Sequence, residues 1–173
     1  MNEQKFKQTK IGKIPENFQR AEDFIKAIQE FLFKEKFILD NDVNERSLSH
    51  KLAEYFKKYF SDYNVDCEYN RMLGKNADEG YITKTLNLKI DDTRSSDTKA
   101  KTVYPDIIIH KRRKNENFLV IEIKKKENNH SSKFDFDKLS AYTKQLNYEF
   151  GIYLEFEKDN ISNIRWFKNG KKI

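Results

Sequence analysis

YPDIIIHKRRKNENFLVIEIKKK, residues 104–126, is the most apolar stretch of the chain, and it also carries charges where none are expected. It reads as a hairpin of two buried strands, 103–112 and 118–126, joined by the loop RKNEN at 113–117. Side chains alternate faces along a strand. Phe118, Val120, Glu122 and Lys124 therefore share one face, and Leu119, Ile121 and Ile123 fill the other. On the first strand Tyr104, Asp106, Ile108 and His110 share a face, opposite Ile107 and Ile109. If Arg112 pairs with Phe118, Asp106 falls opposite Lys124; with a loop two residues longer it falls opposite Glu122. Directly opposite Cβ atoms lie roughly 4.5–5.5 Å apart. Either register gathers Asp106, Glu122 and Lys124 into one cluster.

Two carboxylates in a half-buried place repel each other and lose hydration, a cost that a cation or a proton relieves. Mg²⁺ suits such a pair, because it takes one or two carboxylates, keeps several waters and leaves room for phosphate oxygens. Mn²⁺ is the natural substitute. The bland alternative is a salt bridge from Asp106 to Lys124, with Glu122 facing solvent. Spacing leaves both readings open.

Outward from the hairpin the elements alternate. Pro15 is expected to open a helix over 15–40, with Phe18, Ala21, Ile25, Ile28 and Leu32 as its apolar stripe, widened by Phe24 and Phe31. Residues 1–14 read as a basic arm. A second helix spans about 44–60 with Leu48, Leu52, Phe56 and Tyr59 buried, followed by a strand at 63–71. Residues 72–102 are polar and read as an insertion, part loop and part weak helix or hairpin. Phe136, Leu139, Tyr142 and Leu146 mark a helix over 135–148, and strands follow at 151–158 and 163–169. The pattern is α/β in one domain, residues 1–173, with the central strands covered on both faces.

Composition narrows the function classes. Nine Tyr and fourteen Phe are too many for a disordered chain. The net charge of +6 favours an anionic partner. A single cysteine, Cys67, leaves no internal disulfide and points to a reducing cytoplasm. His50, His110 and His130 stand too far apart for a zinc signature. No run is long enough for a membrane span, so no membrane partner is expected.

Pro105-Asp106 followed by Glu122-Ile123-Lys124 on the next strand resembles the signature of the PD-(D/E)xK nuclease superfamily. The element order over 44–158 is similar to the αβββαβ core of that restriction-endonuclease-like fold, a mixed sheet flanked by helices, here with an added N-terminal helix. NERSLSHKLAEYF (44–56), VDCEYNR (65–71) and VYPDIIIHKR (103–112) also resemble a group of small bacterial proteins within it. The resemblance implies metal-dependent hydrolysis of DNA, by an endonuclease of restriction, repair or phage-defence type. Asp106 and Glu122 become metal ligands and Lys124 the residue that orients the attacking water. Many members add a glutamate from the first core helix. Glu45 fits, since it precedes Leu48 and Leu52 on the buried stripe; its other reading is a capping box with Asp42. Gln145 and Tyr148 match a glutamine and a tyrosine that some members place on the later helix, and His50 and Arg71 are candidates for substrate contact. KRRK (111–114, with Lys111, Arg112 and Arg113) and KKK (124–126, with Lys125) form the expected basic rim. The alternatives are a non-catalytic nucleic-acid-binding module and a subunit that cuts only with a partner. The chain shows no separate target-recognition domain. Monomer, homodimer and larger defence complex all stay open.

Overall fold

Ile107, Ile108 and Ile109 are each buried, so their strand needs apolar cover on both faces. The computed structural model describes residues 4–41, 43–74, 80–88, 99–126 and 131–173. In chain order the elements are β1 (Phe6–Thr9), β2 (Gly12–Pro15), α1 (Ala21–Lys34), α2 (Lys36–Asp40), α3 (Glu45–Tyr59), β3 (Asn64–Cys67), β4 (Arg71–Leu73), β5 (Tyr81–Thr83), β6 (Thr85–Leu88), β7 (Lys99–Thr102), β8 (Ile107–Lys111), β9 (Glu116–Lys125), α4 (Lys133–Gln145), β10 (Phe150–Glu157), β11 (Asn160–Lys168) and β12 (Lys171–Lys172).

Six strands form the main sheet in the order β12-β11-β10-β9-β8-β3. β9 and β10 run parallel, and the other neighbours are antiparallel. Parallel neighbours need a long crossover, and α4 is that crossover. α1 and α3 cover one face: Ile107, Ile109, Leu119 and Ile121 pack there with Phe24, Ile28, Leu52 and Phe56. α4 and β6 cover the other, where Ile108 and Val120 meet Leu86, Leu139 and Tyr142. The class is mixed α/β with helices on both sides of a mixed sheet, as the two-sided apolar runs require.

Several local expectations are corrected. The described part of the basic arm is a hairpin, with Phe6 paired to Pro15. Pro15 ends a strand, and the helix begins only at Ala21. Gly12 makes the turn at φ 116°, and a Cβ there would lie 2.8 Å from Ile164 Cγ2. Burial of Ile11 and Ile14, and the bond from Trp166 Nε1 to the Lys13 carbonyl at 2.8 Å, tie this hairpin to β11. The 15–40 helix is broken at Glu35 into α1 and α2. The buried stripe of α1 is Phe24, Ala27, Ile28 and Phe31, while Ala21, Ile25 and Leu32 are only partly buried. The larger rings take the sheet-facing positions, Phe24 stacking on Phe56.

The strand expected at 63–71 stops at Cys67, because Glu68 turns to φ 50°. β8 starts after Pro105, which has no N–H to give a ladder. Within 72–102 the described residues form the two-stranded pairs β4–β5 and β6–β7; 75–79 and 89–98 lie outside the described residues. Among the described residues no helix is long and apolar enough to cross a membrane.

Candidate active site

The β8–β9 register pairs Ile107 with Ile121 and Ile109 with Leu119. One step further places Asp106 opposite Glu122, although the connection, 112–115 between the paired Lys111 and Glu116, is shorter than the expected loop. A bulge then sets His110 opposite Asn117 and leaves Phe118 unpaired. Phe118 turns to the α1–α3 side, where it stacks on Phe18 at 5.4 Å. It therefore leaves the face of Val120 and Glu122 that strict alternation assigns it.

Asp106 Oδ2 accepts a hydrogen bond from the Ile123 amide at 2.7 Å. Glu122 is only 2% exposed. Its Oε2 accepts from Lys138 Nζ at 2.5 Å, and its Oε1 is buried with no hydrogen-bond partner among the described residues. The hydroxyl of Tyr142, on the next turn of α4, is also buried and has no partner among the described residues. Lys138 Nζ lies 3.1 Å from Asp135 Oδ1 as well. At the end of β9, Lys124 Nζ meets Glu45 Oε2 at 3.3 Å, and the Lys125 amide donates to Glu45 Oε1 at 3.1 Å. Lys124 thus pairs with Glu45, which speaks against the alternative of an Asp106–Lys124 salt bridge. Glu122 is buried rather than solvent-facing.

Glu45 reaches β9 because of how α3 starts. Asn44 caps the helix, accepting from the Ser47 amide at 2.8 Å. Glu45 is then the first helical residue, beside β9. The cap is Asn44 and not Asp42, which lies outside the described residues.

Burial pushes the Asp106 carboxyl up to about 6, against the pull of the Ile123 N–H. Burial, then the Asp106 charge, raises Glu122 well above the ordinary carboxylate range. Burial lowers the Lys138 pKa, but Glu122 and Asp135 outweigh it and hold the ammonium above its usual value. Ionised Asp106 therefore opposes folding above pH 6, and the opposition fades as pH falls through 6 towards the unfolded value near 3.9. Salt-bridged carboxylates such as Glu30, held near 2, lose stabilisation only below about pH 4.5. In EDTA the melting temperature should therefore rise from pH 8 to pH 5, Asp106 contributing about 1 kcal/mol. An Asp106→Asn variant should lack that part of the rise; identical pH profiles would contradict the assignment.

Among the described residues no three His, Cys, Asp or Glu side chains are grouped to hold a metal unaided. A hard cation bound through two carboxylates and water needs no such group. The orphaned Glu122 Oε1 beside Asp106 is the donor such an ion satisfies, so the residues present fit Mg²⁺.

Not every expected residue joins this cluster. The side chain of Gln145 bonds both backbone groups of Asn87, and the Tyr148 hydroxyl takes Lys84 Nζ at 2.9 Å. His50 is exposed on α3, and Arg71 donates to Thr83. Lys111, Arg112 and Arg113 sit at the other end of the hairpin, five residues or roughly 17 Å from Asp106. The two basic runs thus flank the strands from opposite ends and do not form one rim. Arg112 is held by Asp66, and with Arg71 and Arg113 it lines a cleft against β4 and β5. A groove of about 650 Å³ between the N-terminal hairpin and β11 contains none of the site residues. Lys138 was missed by sequence reasoning. Its signal was the helical spacing Asp135, Lys138, Tyr142, which aligns it with a buried residue. Comparison with protein-family models, curated proteins and solved structures gives no match.

Proposed function

We propose that the chain is a Mg²⁺-dependent phosphodiesterase acting on DNA, an endonuclease of restriction, repair or phage-defence type. The observation that carries this reading is the half-buried Asp106 set beside the fully buried Glu122, one of whose carboxylate oxygens is unpartnered among the described residues. The order α3, β3, β8, β9, α4, β10, with β4 to β7 inserted after β3, supports it, being similar to the αβββαβ order that the resemblance implies.

Asp106 and Glu122 hold the cation. The Ile123 amide fixes the Asp106 carboxylate by one oxygen. A bound divalent ion lowers the pKa of a coordinated water and neutralises phosphate charge. Lys124, with its side chain 19% exposed, can reach a substrate oxygen and orient the attacking water. Glu45 steers that lysine and anchors the end of β9 through the Lys125 amide. Lys125, Lys111, Arg112, Arg113 and Arg71 neutralise backbone phosphates on either side.

Supercoiled plasmid incubated with millimolar Mg²⁺ should be nicked, and with EDTA bound but left intact. Binding in EDTA should weaken with salt, with a log–log slope of roughly −2 to −4.5 from two to five phosphate contacts. Equal nicking in both conditions, or no binding at low salt, would contradict the proposal. Binding without nicking in Mg²⁺ would favour the non-catalytic module.

A further inference from the structure

We propose that Lys138 is the resident counter-ion of the Asp106–Glu122 pair, a placeholder that a divalent cation displaces from Glu122 towards Asp135. The inference rests on the metal-site reading above and assigns a role to a residue outside the D…ExK pattern. Lys138 Nζ bonds Glu122 Oε2 at 2.5 Å while Oε1 is the oxygen left for the cation, so ammonium and ion would share one carboxylate and their repulsion favours the ammonium's departure. Its side chain is 13% exposed, so this is an interior contact and not a surface ion pair. Lys124 cannot take the role, since Glu45 engages it from the α3 side.

The ammonium has somewhere to go. Asp135, one turn back on α4, already lies 3.1 Å from Nζ, and the Phe134 ring lies 5.5 Å from it. Lys138 can therefore leave Glu122 and keep both a carboxylate and an aromatic face. Glu122 has no such alternative, because its other oxygen has no partner among the described residues. With all groups ionised, Asp106, Glu122 and Asp135 carry three negative charges against the single positive charge of Lys138. Glu45 and Lys124 cancel. The remainder is two negative charges, the complement of a divalent ion.

Titration calorimetry of Mg²⁺ into the DNA-free protein tests this. Removing a positive charge at contact distance from Glu122 should tighten binding, so Lys138→Met should bind Mg²⁺ about tenfold or more tightly than wild type. Lys138→Arg keeps the charge and should bind no more tightly than wild type. Melting in EDTA checks folding, and Lys138→Gln replaces the Met variant if that one fails to fold. Equal or weaker Mg²⁺ affinity in the uncharged variant, with wild type binding, would overturn the placeholder role while leaving the metal site standing. A wild type that binds no Mg²⁺ would overturn the metal site itself, and the placeholder with it.

Discussion

Lys124→Ala should lower Mg²⁺-dependent nicking by roughly 100- to 1,000-fold, the usual effect of removing one charge aimed at the reacting group. Folding should survive. Among the described residues the ion pair lost is the one with Glu45, whose side chain is 26% exposed, and such pairs contribute about 1 kcal/mol or less. Glu45 keeps its bond from the Lys125 amide. DNA binding and Mg²⁺ affinity should also persist, since neither rests on this ammonium alone. The variant therefore separates catalysis from binding, which Lys138 variants do not. Nicking assays read beside a melting curve decide it, and full activity would remove Lys124 from the mechanism.

The hairpin could be read from sequence because its apolar residues alternate around two misplaced carboxylates. Asp106 and Glu122 come together in either of the two registers left open, so the cluster did not depend on the loop length. Phe118 was not legible in that way. Its turn to the other face depends on Phe18, from a loop some hundred positions earlier in the chain. The N-terminal hairpin was hidden for a similar reason: its strands are four residues each, and their burial is against β11. Glu45 could be placed on the sheet-facing side of α3 by helical spacing. Its bond to β9, 80 positions away, could not. The basic runs were misjudged because sequence gives charge but not which end of a strand it occupies. Lys138 was legible in principle, but it is a lysine on a helix, and that pattern most often means solvent.

The metal site itself is tested by Asp106→Asn. Among the described residues Asp106 has no ion pair of its own; its one bond is from the Ile123 amide, which an asparagine carbonyl can also accept. Burial makes its charge a cost, and Glu122 lies on the adjacent strand, so the neutral variant should relieve strain in the apo protein. Functional sites commonly trade stability in this way. Thermal melts of both proteins at pH 7.5 to 8, with EDTA and with millimolar Mg²⁺, are the most direct measurement. The expected result is a melting temperature a few degrees higher for Asp106→Asn in EDTA, corresponding to about 1 kcal/mol. Mg²⁺ should raise the melting temperature of the wild type, because it binds only the folded state, and leave the variant unmoved. A destabilised Asp106→Asn, together with a wild type indifferent to Mg²⁺, would contradict the account.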